Sequence, residues 1–179
     1  MSIFTVRPML AADLPAVLAV QASCYTDVLL ESQEALASRL ALSPATCWVA
    51  PDPRQAGALA AYLFTHPWLE ASLPPLDGVL DDGWRGAAAR ESLTWFVHDM
   101  AVAPAGRGAG LAPRLYAAAL AAARSAGLRR SRLIAVQSAA SWWRRLGYAP
   151  VAAETASRHA AKLAGYGANA VLMERALTN

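Results

Sequence analysis

Acidic side chains are scarce in the C-terminal half of this chain. Residues 100–179 carry 11 basic and 2 acidic side chains, whereas residues 1–99 carry 5 and 11, for a net charge of +3. A surface of one uniform sign is excluded. The basic half suits an anionic partner and the acidic half a cationic one. Histidine and cysteine are also sparse. The three histidines are His66, His98 and His159, and the two cysteines are Cys24 and Cys47. No pair of them has metal-ligand spacing, so a metal centre finds no support. Two cysteines exclude a disulfide-dense secreted scaffold. The start, Met1 to Pro8, lacks a basic segment followed by an apolar one, so a cytoplasmic protein with reduced thiols is expected. No apolar run of about eighteen residues escapes a charge or a proline, and no membrane-spanning helix is expected. An internal repeat is missing too, which excludes a solenoid.

Apolar residues, by contrast, make up 56% of the 179. That suffices for one domain over residues 1–179 with a full core, and is too little for two. Ile3 to Arg7 reads as a short strand stopped by Pro8. Asp13 is an N-cap for a first helix over 12–24, with Leu14, Val17, Leu18 and Ala22 at helical spacing. Ser32 to Leu42 is a second helix, with Leu36, Ala37 and Leu40 as its apolar side. Thr46–Ala50 and Gly57–Thr65 read as strands joined by a turn at Asp52-Pro53-Arg54-Gln55. Turn chemistry fills 66–91, read as one long connection. Leu93–Val102 is the strongest strand. A long helix then runs to about Ala126, with Gly127 as its cap. Arg132–Val136 is a strand, and Ser138 N-caps a short helix over 139–146. Tyr148–Ala152 and Ala170–Arg175 are final strands, with a helical turn between Glu154 and Gly167. Such interleaving predicts a mixed α/β sheet covered by helices.

The most informative stretch is Arg107-Gly108-Ala109-Gly110-Leu111-Ala112. It stands between the strongest strand and the longest helix. Glycines let a backbone approach an anion closely, and the first amides of a helix have no intrahelical partner. Strand, glycine turn and helix N-terminus in that order make a site for a pyrophosphate. Arg107-x-x-Gly110-x-Ala112, directly after Val102-x-Pro104, resembles motif A of the GNAT superfamily of acyl-CoA-dependent N-acyltransferases. Ser141-Trp142-Trp143-Arg144-Arg145-Leu146-Gly147-Tyr148 resembles that family's second signature. The resemblance covers residues 93–150.

The resemblance implies a central mixed sheet of about six or seven strands with helices on both faces. Its central parallel pair would splay apart around the pantetheine arm of acetyl-CoA, the implied co-substrate. Met100, Ala101 and Val102 would run beside that arm through their main chain, with one amide, that of Met100, at the thioester carbonyl. Arg107, Gly108, Ala109, Gly110, Leu111 and Ala112 would wrap the pyrophosphate. Gln137 stands near the place of a cofactor-contacting Asn. Trp143 would border the cofactor where many members carry the tyrosine that protonates the leaving sulfur. Indole cannot serve as that acid, and Tyr116 and Tyr148 are the nearby phenols.

Acyl transfer to an amine needs a proton acceptor. His98, two residues before Met100, is the first candidate, since imidazole titrates near neutrality. The arylalkylamine-acetylating GNATs have a histidine at this place and commonly another two residues earlier, where this chain has Phe96. Asp99 is the runner-up base, or orients the ring. A half-buried histidine held by a carbonyl is the alternative. Tyr25, Asp27 and Glu31 fall where members place acceptor contacts, and His66 and Trp68 could line the acceptor pocket. The leading expectation is an N-acetyltransferase moving acetyl from acetyl-CoA to a small or protein amine in a ternary complex. A non-catalytic CoA-binding or sensing module is the alternative. A nucleic-acid binder is disfavoured, because Arg129-Arg130-x-Arg132 lacks an aromatic platform. A homodimer is compatible with the sequence.

Overall fold

The structure is a computed structural model, and it describes residues 4–83, 92–136 and 138–177. The chain begins with β1 (Arg7–Pro8), α1 (Leu14–Cys24), α2 (Gln33–Leu42), β2 (Trp48–Pro51) and β3 (Leu59–Leu69). β4 (Leu93–Val102), α3 (Leu111–Ser125), β5 (Arg130–Ala135) and α4 (Ala140–Arg145) form the middle. β6 (Ala149–Pro150), α5 (Ala153–Arg158), α6 (Ala160–Ala164) and β7 (Val171–Ala176) close it. The strands make one seven-stranded mixed sheet, ordered β1-β2-β3-β4-β5-β7-β6. Each pairing is antiparallel except β4 with β5.

Two apolar layers sandwich the sheet. Leu14, Val17 and Val20 of α1 and Leu36 and Leu40 of α2 pack on Val49, Tyr62 and Phe64. On the other face α3 presents Leu111, Leu115, Ala119 and Ala123, a stripe repeating every four residues, to Leu63, Trp95, Val97 and Leu133. Trp143 of α4 joins that layer. α3 ends where Gly127 turns left-handed (φ 82°). The Leu128 N–H then reaches Ala123 O at 3.1 Å, satisfying a last-turn carbonyl.

Several expectations need correcting. Of the strand expected over Ile3–Arg7, Ile3 lies outside the described residues, and residues 4–6 stand before the first strand, which is Arg7–Pro8. Pro8 is its last residue, as expected, and is tolerated there because β1 is an edge strand, paired with β2 alone among the described strands. Asp13 sits at the α1 N-cap position, but its carboxylate binds Arg7 (2.7 and 2.8 Å) and the Leu10 N–H (2.8 Å) instead. Residues 66–69 are not loop. β3 continues through Pro67 to Leu69, opposite Leu93. β2 stops pairing at Leu63, so β3 has an open edge there on which a residue without an N–H is tolerated. Ser138 does not cap α4; Ala139 occupies that position. Residues 154–167 hold α5 and α6 rather than one helical turn.

The turn from β4 into α3 is seated on β3. Ala103 N–H donates to Ala60 O at 2.8 Å, and a Cβ on Gly106 would stand 2.8 Å from that same oxygen and 2.9 Å from Leu111 Cδ1. Gly106 is therefore the glycine that steric contact requires. Gly106→Ala is expected to lower stability by about 1–3 kcal/mol, read as an earlier midpoint in urea unfolding. An unchanged midpoint contradicts the close approach.

Candidate functional site

The site grows from an irregularity in β4. Opposite Phe64 and Thr65 of β3 stand Asp99 and Val97, so His98 is an extra residue in the ladder, a β-bulge. Alternation is broken there. Trp95, Val97, Met100 and Val102 all pack toward the α3 layer. His98 and Asp99 are consecutive, yet both turn to the opposite face, toward Glu31 and Tyr62 respectively. The bulge also bends the strand. β4 pairs with β5 only over Trp95–Val97, and beyond Val97 the two part.

A cleft of about 300 Å3 opens where they separate. Val97, His98, Asp99 and Met100 line one side, Leu133, Ile134 and Val136 the other. Ala112, Trp142 and Trp143 close one end, and Tyr25, Leu29, Glu31, Leu76 and Tyr166 the opposite end. Because Ala103 N–H points to β3, two-residue alternation turns the N–H groups of Met100 and Val102 to the opening. Tyr25 Oη donates to Met100 O at 2.9 Å, and Cys24 Sγ to Val102 O at 3.4 Å.

The glycine turn stands at the α3 end. Gly108 and Gly110 are left-handed (φ 77° and 69°), and a Cβ on either would meet no protein atom within 4 Å. Within the turn, Gly106 N–H bonds Ala103 O, Arg107 N–H bonds Pro104 O and Ala109 N–H bonds Gly106 O. The expected cradle over 107–112 therefore narrows. The amides of Arg107 and Ala109 are engaged inside the turn. Those of Gly108, Gly110, Leu111 and Ala112 lie outside these bonds, and Pro113 has no N–H. A pyrophosphate fits this donor set, with the exposed Arg107 beside it.

A buried charge cluster holds the other end. Glu31 Oε1 lies 2.8 Å from His98 Nε2, and Glu31 Oε2 lies 2.7 Å from Arg39 Nη2 and accepts the Asp77 N–H at 3.1 Å. Gln21 brackets the Glu31 backbone, donating to its carbonyl (3.0 Å) and accepting from its N–H (3.1 Å). Burial works to raise the Glu31 carboxyl, but His98, Arg39 and the Asp77 N–H outweigh it and hold it below the usual carboxylate range. With Glu31 ionised, His98 Nε2 donates to Glu31 Oε1, leaving Nδ1 as the other ring nitrogen. That Nδ1 is buried without a protein partner among the described residues. Asp99 accepts from Tyr62 Oη at 2.6 Å. Burial pushes its carboxyl above the ordinary range, against the Tyr62 hydrogen bond.

The structure brings Tyr25, Glu31, His98, Asp99, Met100, Ala112 and Trp143 to one cleft. It does not bring His66 or Trp68 there. His66 is fully buried, its Nδ1 3.0 Å from Pro67 O and its ring 5.4 Å from that of His98. Burial first, then His98, depress its pKa well below the ordinary value, so it stays neutral. Trp68 donates to Ser72 Oγ at 3.0 Å. Glu31 is no free acceptor contact, since both its oxygens are engaged. Gln137 lies outside the described residues. Tyr116 and Tyr148 are excluded as cleft acids. Tyr116 Oη donates to Tyr148 Oη (3.1 Å), which stands 2.6 Å from Ser131 Oγ, all inside the core. Tyr166 was missed. It follows α6, far from either motif, and nothing in its local sequence marks it. Burial first, then Glu31, raise its phenol above the ordinary value. The arginines at 130 and 132 are spent on Glu70 and Glu174.

The model of the acetyltransferase (GNAT) family matches residues 14–148. With that match and this architecture, the chain belongs to the GNAT acetyltransferase family, a family of acyltransferases. No curated protein sequence matches it. Among solved structures it is similar to Ard1 from Thermoplasma volcanium, at 15% identity over 98% of this chain and 99% of that one (TM-score 0.68). It is similar to the ribosomal-protein-S18-alanine N-acetyltransferase from Escherichia coli, at 15% identity over 99% and 96% (TM-score 0.64). It is similar also to the GNAT-like decarboxylase GphF in complex with isobutyryl-CoA, at 19% identity over 97% and 100% (TM-score 0.65). At such identities the likeness establishes the fold.

Glu31 and Arg39 side chains are 2% and 0% exposed. Removing one charge strands the other in the interior. Glu31→Gln is expected to cost about 3–5 kcal/mol of stability, measured by chemical unfolding. A cost below about 1 kcal/mol contradicts a tight buried pair.

Proposed function

We propose that this protein is a cytoplasmic N-acetyltransferase that moves an acetyl group from acetyl-CoA to a primary amine by direct transfer. One observation carries the reading. The free edge of β4 beyond Val97 carries His98, Asp99 and Met100 on a cleft that reaches Ala112, just past the glycine turn. A strand edge of this kind takes an amide-bearing arm as an added strand. The Met100 and Val102 N–H groups are its donors, and the glycine turn takes the diphosphate. Holding thioester and amine together in that cleft contributes much of the rate.

Starting from ammonium, the nitrogen gives up two protons and the departing sulfur takes one, so one proton leaves to solvent. The amine arrives as ammonium and is drawn to the Asp99 carboxylate. His98, its ring fixed by Glu31, takes the first of these protons and releases it to solvent after turnover. The neutral nitrogen attacks the thioester carbon. The oxyanion that forms meets the Met100 N–H. As the C–S bond breaks, the Tyr166 phenol passes its proton to the sulfur and takes the second proton of the cationic nitrogen in its place, leaving the amide, the free thiol and an unchanged phenol. Trp143 supplies packing instead of a proton. A sensing module is disfavoured, because binding alone gives no reason to bury an ionisable carboxyl next to a histidine on the cleft wall.

His98→Gln is expected to lower kcat/KM for the amine by roughly 10^2- to 10^4-fold with acetyl-CoA affinity retained in calorimetry. Unchanged turnover removes His98 from the mechanism. The pH dependence follows from Asp99. Its carboxyl titrates above the ordinary carboxylate range, so as pH falls through that raised value it neutralises and stops attracting ammonium. KM for the amine is expected to climb on that limb, and Asp99→Asn to flatten it. A limb that survives in Asp99→Asn contradicts the assignment.

A further inference from the structure

Resting on the acyl-transfer reading above, we infer that the acceptor is a small primary amine carrying a compact apolar or aromatic group and no carboxylate. The acceptor end of the cleft is a pit rather than a groove. Two of its walls are the α1–α2 connection and the segment after β3, stitched together by hydrogen bonds, and Tyr166 after α6 lines it as well. Ser32 N–H donates to Asp77 Oδ1 (2.6 Å) and Asp77 N–H to Glu31 Oε2 (3.1 Å). Arg39 donates to Gly78 O (3.0 Å) and Pro75 O (2.9 Å), and Leu80 N–H donates to Ser38 Oγ (2.9 Å). An extended peptide cannot lie between these two segments, which are already bonded to each other, whereas a short amine needs no such channel.

The lining sets the chemistry. Leu29 and Leu76 face the pit from the two walls, with Tyr25 and Tyr166 beside them. Val28 and Val79 stand on the same two walls and are 71% and 68% exposed. They are two of the three exposed large hydrophobic residues among those described, so solvent-facing apolar surface is concentrated on these walls. The charged or titratable lining groups besides the two phenols are Glu31, His98 and Asp99. No cation of the described lining faces them. Arg39 lies beneath Glu31, fully buried and committed to Glu31, Ala35 O, Pro75 O and Gly78 O. An acceptor carboxylate would leave water to face two carboxyl groups with no counter-charge among the described lining residues. An ammonium meets Asp99 and two aromatic rings, and its apolar substituent meets Leu29 and Leu76.

Steady-state kinetics with acetyl-CoA test this on the full chain, using 2-phenylethylamine, isopentylamine, phenylalanine, spermidine and a peptide with a free N-terminus. The two apolar amines are expected to exceed the other three in kcat/KM by about a hundredfold or more. Leu76→Arg places a cation on the wall and is expected to narrow the phenylethylamine-to-phenylalanine ratio at least about tenfold. Leu29→Gln, a milder change, is expected to lower kcat/KM for the apolar amines while sparing spermidine, and stands in if the first variant does not fold. Phenylalanine, spermidine or the peptide matching the apolar amines overturns this inference and leaves acyl transfer intact. No turnover of any amine by protein that binds acetyl-CoA in calorimetry overturns acyl transfer, and the acceptor class with it.

Discussion

The parting of β4 from β5 after Val97 is the constraint on which the site depends. A continuous parallel ladder would spend the Met100 and Val102 amides on β5 and leave no room beside them. The extra residue at His98 breaks the ladder, bends the strand and sends two consecutive polar side chains to one face. The cleft, its amide donors and its acid–base pair are thus consequences of one residue in the register. The glycine turn depends on the same strand, since its seat on Ala60 requires β4 to finish beside β3 where it does.

Beneath the cleft the molecule accepts a costly arrangement. Arg39, Glu31 and His98 are almost wholly out of water. Desolvating such a group costs several kcal/mol per ion, and the attraction returns it only with good geometry and further hydrogen bonds. Those bonds come from Asp77, Pro75 and Gly78, which also tie the segment after β3 to Glu31 and to α2. What the cluster contributes is therefore position more than net stability. His98 cannot rotate without stranding Glu31, and the loop after β3 cannot lift without exposing Arg39.

Much of this was legible in the sequence where local chemistry is strong. β4 was delimited to its ends, because ten residues of mostly apolar and aromatic character stand between turn formers. The turn and α3 were legible from Gly108, Gly110 and the four-residue stripe. The bulge was not. His98-Asp99 looks like a polar interruption of a strand, and only the pairing with β3 makes it an insertion. Pro67 hid the far end of β3, because the rule against proline in strands fails on an open edge. Glu31 was legible as a carboxylate near the acceptor, but its pairing with Arg39 depends on how α2 lies on the sheet. His66 looked like a mouth residue because 66–91 read as loop; once β3 extends, it is core. Tyr166 and Gly106 earn their places through contacts with residues over a hundred and about forty-six positions away, a scale no local pattern reaches.

The most direct measurement is a crystal structure of the protein with a CoA thioester bound. The account predicts the diphosphate on the amides of Gly108, Gly110, Leu111 and Ala112, and the pantetheine arm beside Met100 and Val102 in the gap between β4 and β5. The thioester carbonyl is predicted at the Met100 N–H. Density for the thioester at another surface, or a β4–β5 gap bridged by continuous main-chain pairing, would contradict it.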